Sequence, residues 1–411
     1  MARLYCLLLL VLIGFPSIAQ SPLLDILNQL PAGMDTLIAQ SDKYRIQIVY
    51  TQIDRDAQNR PHFRSFSFGD TAQYFNPAST VKMPAAFLAM EKIRQLRILG
   101  LDKHSTMHTG AARSPQTAVQ SDSTARDGLP SIAHYVKKVF LVSDNDAFNR
   151  LYEFLGQGYI NEQLRDKGYS RTRIVHRLSV PGFDSVANRY TNPVSFYGLG
   201  DTLLYHQGEV FSRAEPSDMA LGSQVLGIGH INNREELVRQ PFDFRFSNYV
   251  GLRELHDMLQ AVMFPDAVPA ERRFALSADD YTFLYETMSM LPRESEYPKY
   301  DPAEYYDSYV KFFLFGDRRD PMPSDIRIFN KVGTAYGFLT DIAYVADLRN
   351  SVEFLLAATI YVNADGILND NRYEYDEVGM PFLSKLGQAV HAYELQRPRR
   401  RKPDLGAWKR D

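Results

Sequence analysis

The chain of 411 residues contains one cysteine, Cys6, and one tryptophan. Cys6 lies within the apolar run that opens the sequence, ahead of the place a lipid-attachment cysteine would occupy at the end of such a run. Beyond that run there is no thiol, which excludes cysteine nucleophiles, disulfides and cysteine-held zinc together. Stability must therefore come from packing. The opening run is also too short to span a membrane, which takes about 20 apolar residues. The formal charge is −3 at pH 7, so the overall balance offers nothing to nucleic acid.

What is present reads as a globular chain with a leader. "MARLYCLLLLVLIGFPSIAQS" sets the basic Arg3 before an apolar run from Leu4 to about Phe15, then the small Ser17 and Ala19 before Gln20. This predicts a secretory signal over residues 1–19, cleaved near Ala19, and hence a secreted or periplasmic protein. A hydrophobic content of 45% over this length suits one large domain, or two lobes sharing a core.

Periodicity predicts strands at both ends of the chain and helices between. "YRIQIVYTQID" and "HFRSFSFGD" read as a hairpin, and "DIRIFNKVG", "GFLTDIAYVAD" and "VEFLLAATIYVN" as three further strands. Between them Ile132, Tyr135, Val136, Val139 and Phe140 fall at helical spacing, as do Phe148, Leu151, Phe154 and Leu155. Further helices follow through Leu252–Val262, after an N-cap at Ser277, and from Pro381. The predicted fold is α+β, with an antiparallel sheet built from both chain ends (about 40–75 and 320–396), helices packed on it, and an all-α lobe over about 79–320. One domain is expected to span 20–396. Residues 205–250 show no sustained period and read as an irregular insertion, and the basic 397–411 as a disordered tail.

Three short patterns carry chemistry. In "FNPASTVKMPAAFLAM", Ser79 and Lys82 stand three apart at the head of an apolar helix, so they share a face. A serine needs such a neighbouring base to become a nucleophile, and a helix start supplies N–H groups toward a developing oxyanion. "LVSDNDAF" puts Ser143, Asp144 and Asn145 in a tight turn between two helices, where capping alone is a sufficient account of them. "NKVGTAYG" puts Lys331 near the end of a strand, with Gly333 leaving room for a substrate backbone along the edge. Singly each has a plain explanation, and Ser-x-x-Lys recurs at Ser308–Lys311.

In this order the three resemble the motif set of class A β-lactamases and penicillin-binding proteins. The resemblance covers about Tyr44 to Glu394 and implies a β-lactamase/transpeptidase-like fold. It implies that Ser79 forms an acyl-enzyme with help from Lys82, and that Ser143 passes a proton to the leaving nitrogen. Asn145, Lys331, Gly333 and Thr334 would bind substrate, with the Ser79 and Thr334 N–H groups as the oxyanion hole and Asp144 holding the turn. No cofactor or metal is implied. The expected partner is a small β-lactam or a peptidoglycan-derived amide, and the expected state is a monomer.

The chain departs from the family in two places. Val332 replaces the usual hydroxyl residue between strand lysine and glycine. The loop expected to hold a water-activating glutamate, "HRLSVPGFDSVANRYTNPVSF", holds none. His176 and Asp184 are the nearest acid–base side chains there, and each is favoured as structural. The first expectation is a class A-type hydrolase. The alternatives are a D-alanyl peptidase or penicillin-binding-type enzyme that deacylates slowly, and an envelope binding protein without turnover. His104 and His108 lack a third ligand, which argues against a metal pair. The tyrosine-rich 297–315 reads as partly buried surface rather than a lid.

Overall fold

The computed structural model describes residues 21–214, 219 and 221–409; the expected leader, with Cys6, lies outside the described residues. Two short helices that periodicity does not announce, α1 (Pro22–Leu27) and α2 (Met34–Ala39), lead into the hairpin β1 (Gln47–Arg55) and β2 (Pro61–Phe68). A 3-10 turn (Ala78–Val81) opens α3 (Lys82–Leu96), followed by α4 (Ile132–Leu141), α5 (Asn145–Leu155) and α6 (Gln157–Asp166). After the insertion come α7 (Leu252–Met263) and α8 (Ala278–Ser289), then β3 (Ile326–Ala335), β4 (Phe338–Asp347), β5 (Val352–Tyr361) and α9 (Met380–Gln396).

The five strands form one antiparallel sheet in the order β3-β4-β5-β1-β2, which joins the two ends of the chain as expected. Side chains alternate across it. Val49, Phe329, Ile342, Tyr344, Leu355 and Ala357 face a core shared with α3, α4, α5, α7 and α8. Ile48, Ile328, Ala343, Val345, Phe354 and Leu356 face a second core closed by α1 and α9. With both faces covered, β4 is buried along its whole length and β5 nearly so, hence their unbroken apolar sequences.

Two expectations need correction. The insertion is not irregular: it is built from short paired strands. Leu203–Gln207 pairs with Val194–Tyr197, Val225–Leu226 with Phe242–Asp243, Gly229–Ile231 with Leu237–Val238, and Tyr249–Val250 with Thr172–Arg173. Strands of two to five residues are too short to impose a readable period. Nor is the tail loose as far as residue 409. Arg397 donates to Asp54 (2.6 Å) and Glu394 (2.8 Å), Arg399 pairs with the same buried Glu394, and Leu405 is buried. Trp408 then stacks edge-on against Phe329 and Tyr285 and donates to the Tyr344 hydroxyl at 3.1 Å. The buried carboxylate of Glu394, helped by the exposed Asp54, turns a basic, solvated-looking sequence into a strap.

Candidate active site

Ser79 sits in the 3-10 turn that opens α3. The turn is tightly held: Asn76 Oδ1 accepts from the Ala78 N–H (2.8 Å), and Pro77 O accepts from both Thr80 N–H (3.0 Å) and Thr80 Oγ–H (2.7 Å). Ala78 takes a left-handed φ of 46°, a conformation that non-glycine residues adopt only when their surroundings impose it. Ser79 itself is half-buried, and its hydroxyl hydrogen-bonds to no described residue.

Lys82, one step into α3, is wholly buried. Its amine does not bond Ser79. It donates to the Ser143 carbonyl and to Asn145 Oδ1 (2.7 Å), and lies 3.3 Å from Ser143 Oγ. Burial lowers its pKa to about 7, with the Asp144 carboxylate pulling partly the other way. A neutral amine that has given two hydrogens to Ser143 O and Asn145 Oδ1 keeps its lone pair for a serine hydroxyl.

The loop between α4 and α5 is three residues long, Val142 to Asp144, and carries the second motif. Ser143 has a left-handed φ of 58°. Asp144 is the N-cap of α5 and accepts from the Ala147 N–H at 2.8 Å, while Lys138 stands 3.6 Å from its carboxylate. It holds the turn, and Asn145 opens the helix.

Lys331 reaches Ser143 from the sheet. β3 is an edge strand, and on it Lys331 and Gly333 point to the helical side. Lys331 Nζ donates to Ser143 Oγ at 2.8 Å and to the Val332 carbonyl at 2.8 Å. Its pKa is held well below the usual lysine range, first by burial and then by the like charge of Lys82. One serine hydroxyl is thus flanked by two buried amines. Val332 turns into the second core and offers nothing polar, and Thr334 is exposed at the strand edge.

Gly333 also has a packing role. A Cβ there would lie 2.5 Å from Pro77 O, 3.0 Å from Thr80 Cγ2 and 3.2 Å from Ala78 Cβ. The missing side chain lets β3 touch the turn that carries Ser79, so it sets the distance between Ser79 and the strand edge.

Sequence reasoning missed the group behind β3. Asn330 Nδ2 donates to Asp341 (2.8 Å) and to Val310 O (2.8 Å), while Asn330 Oδ1 accepts from Lys311 Nζ (2.6 Å). Lys311, the lysine of the second Ser-x-x-Lys, is fully buried there, and Ser308 Oγ donates to Arg318 O at 2.6 Å. That pair is structural. The only signal for the cluster in the sequence is the run of polar residues among apolar ones at 330–331 and 341.

His176 and Asp184 have local tasks. The His176 Nδ1–H donates to Arg177 O (2.6 Å) and Nε2 accepts from the Asn248 N–H (3.1 Å), which uses both ring nitrogens; burial lowers its pKa. Asp184, exposed, accepts from the N–H groups of Val186 and Ala187. Neither hydrogen-bonds to Ser79, Lys82, Ser143 or Lys331. His104 is exposed, and His108, on the strand Thr106–Thr109, packs on Tyr197. Among the described residues no cluster of His, Cys, Asp and Glu could hold a metal, and no helix is long and apolar enough to cross a membrane.

A five-stranded antiparallel sheet with helices on both faces, a serine at a helix start and a second serine between two buried lysines together resemble the penicillin-recognising serine hydrolases. Residues 30–226, which hold Ser79, Lys82 and Ser143–Asn145, match the beta-lactamase enzyme family. That stretch, just under half of the chain, is similar to the serine β-lactamases and their penicillin-recognising relatives. Among solved structures it is similar to a β-lactamase from Sphaerobacter thermophilus at 14% identity, covering 89% of this chain and 97% of that one with a TM-score of 0.47. It is also similar to a β-lactamase from Xanthomonas campestris (14% identity, 87% and 96% covered, TM-score 0.45) and to PBP-A (14%, 87% and 95%, TM-score 0.48). No curated protein sequence matches the chain.

Proposed function

We propose that the protein is a secreted serine hydrolase of the class A type that opens a β-lactam or a related amide through an acyl-enzyme on Ser79. The observation that carries this reading is the shared Ser143 hydroxyl, 2.8 Å from Lys331 Nζ and 3.3 Å from Lys82 Nζ. Ser79 Oγ attacks the amide carbonyl carbon and its proton passes to neutral Lys82. The oxyanion that forms faces the N–H groups of Ser79 and Thr334. As the C–N bond breaks, Ser143 Oγ–H protonates the departing nitrogen, and Ser143 recovers a proton from Lys82 across the 3.3 Å contact. Asn145 holds Lys82 in place for both transfers. Lys331 donates to Ser143 Oγ and supplies a hydrogen-bond donor on the side of a substrate carboxylate.

A second reading is favoured by one specific observation: His176 has both nitrogens engaged and Asp184 is a surface cap, so neither is free to activate the water that would release the acyl group. On that reading the enzyme is of the penicillin-binding or peptidase type, with a long-lived adduct. Following a chromogenic cephalosporin over time alongside intact-protein mass separates the two. Sustained turnover identifies a lactamase, and a stable adduct a penicillin-binding enzyme. Ser79→Ala abolishes the adduct in both cases. Absence of any mass increment on the wild type at saturating reagent sinks the active-serine reading and leaves a binding role.

A further inference from the structure

The segment between α8 and β3 is tethered to the same two elements that meet at Ser143. At one end Lys137 of α4 donates to Tyr297 O at 2.6 Å, and Arg126 lies over the Tyr297 ring. At the other, Asn330 Nδ2 donates to Val310 O at 2.8 Å and Lys311 Nζ donates to Asn330 Oδ1 at 2.6 Å. α4 runs directly into the Ser143 turn and Asn330 directly precedes Lys331, whose amine bonds Ser143 Oγ. The chain between these tethers therefore flanks the Ser143 side of the site.

That stretch carries a row of rings. Tyr300 and Tyr305 lie 5.1 Å apart by centroid, and Tyr305 and Tyr309 5.0 Å apart. Tyr300 and Tyr305 are half-buried and Tyr309 is 36% exposed, so ring faces remain open. Asp144, next to Ser143, is the charge that acts most on the Tyr300 phenol, whose pKa is raised mainly by burial. The Tyr300 hydroxyl is buried with no hydrogen-bond partner among the described residues. A phenol left unpaired disfavours the folded state, so what this position retains is the ring rather than the hydroxyl.

We infer that Tyr300, Tyr305 and Tyr309 form the wall that receives the leaving half of the substrate, and that they select leaving groups bearing an aromatic or heteroaromatic ring. The inference rests on the reading above, in which Ser143 protonates the departing nitrogen: whatever is attached to that nitrogen lies beyond Ser143, against these rings. Flat rings attract flat rings by offset or edge-to-face contact, and small leaving groups leave the row wet.

The test uses two cephalosporins with the same acyl side chain, one carrying a methyl group at the far end of the leaving half and the other a heteroaryl-thiomethyl group. The readout is the second-order rate constant for Ser79 acylation. Their intrinsic reactivities differ, so the preference of the wild type is divided by that of Tyr305→Ala/Tyr309→Ala, in which reactivity cancels. The expected ratio is roughly three- to tenfold, the range of one aromatic contact. The methyl compound should acylate wild type and variant at similar rates, which also reports an intact fold. Tyr300→Phe and Tyr305→Phe, which keep the rings, should retain the wild-type preference. A ratio of about one, or a preference lost equally in the phenylalanine variants, overturns the wall and leaves the active serine standing. Failure of both compounds to acylate the wild type overturns both.

Discussion

Replacing Gly333 by alanine puts a methyl group where β3 meets the Ser79 turn. The new Cβ would stand 2.5 Å from Pro77 O, and an ordinary contact begins near 3.4 Å, so strand and turn must part by about 0.9 Å. Pro77 O cannot swing aside cheaply, because it accepts from both the N–H and the hydroxyl of Thr80. Nor is the obstacle the tip of a flexible side chain. Overpacking of this kind costs about 1–3 kcal/mol, which in a chain this long lowers the melting temperature by only about 1–4 °C. The effect on chemistry is larger. Ser79 rides on the turn, while Lys331 and the Thr334 N–H ride on the strand, so the displacement separates the proposed nucleophile from the proposed oxyanion donor. A misplacement near 1 Å reduces rate by about 100-fold.

The assay pairs a thermal melt with the rate constant for acylation by a reactive β-lactam, followed by intact mass. The expected result is a small fall in melting temperature with a loss of about two orders of magnitude in acylation rate. A Gly333→Ala protein that acylates within about threefold of wild type would show that the contact is slack. It would return the glycine to the role read from sequence, that of leaving room for substrate.

Three other perturbations follow from named groups. Acylation should rise with pH through about 7 and level off above it, because burial lowers the Lys82 pKa to about 7 and the proposed base is the neutral amine; a rate that is flat from about pH 5 to about pH 9 refutes that role. The same shift has a sign in stability. The unfolded chain, with a lysine pKa of 10.5, holds the extra proton between about 7 and 10.5, so the contribution of Lys82 grows as pH rises through that window and is lost as pH falls to about 7. Glu394→Ala leaves Arg397 and Arg399 without their buried acceptor and removes the partner of the Tyr50 hydroxyl, at a cost of about 3–5 kcal/mol. Urea unfolding and limited proteolysis of the tail should both report it, and an unchanged midpoint with an intact tail counts against the strap. His176→Ala removes the acceptor of the Asn248 N–H and should destabilise by about 1–3 kcal/mol without changing the lifetime of the acyl adduct. An adduct that lasts about tenfold longer in this variant restores His176 as the deacylating base.

What could be read ahead of the structure was whatever is set locally. The strands β4 and β5 appear as apolar stretches bounded by turns because a sheet covered on both faces imprints itself on every residue of its inner strands. The Ser277 cap of α8 is legible for a similar reason, since its side chain and that of Asp280 bond each other's N–H groups within one turn. The tail reads as loose because neither the burial of Glu394, just ahead of it, nor the approach of Asp54, 343 residues away, is encoded in the pattern that makes it basic. His176 was ambiguous for the same reason: the N–H that occupies its Nε2 belongs to Asn248, 72 residues on.

The two Ser-x-x-Lys sequences isolate the cause. Both have the same spacing and both lysines are fully buried, yet Lys82 enters the site while Lys311 is bound to Met288 O and Asn330 behind the sheet. Spacing fixes only that the two side chains of each motif share a face. What separates them is a partner far along the chain: Ser143 lies 61 residues from Lys82 and 188 from Lys331, and no local pattern encodes that three such segments converge on one hydroxyl. The order of the three motifs along the chain was informative because order constrains topology, and here it is topology that brings the edge of β3 against the turn that opens α3.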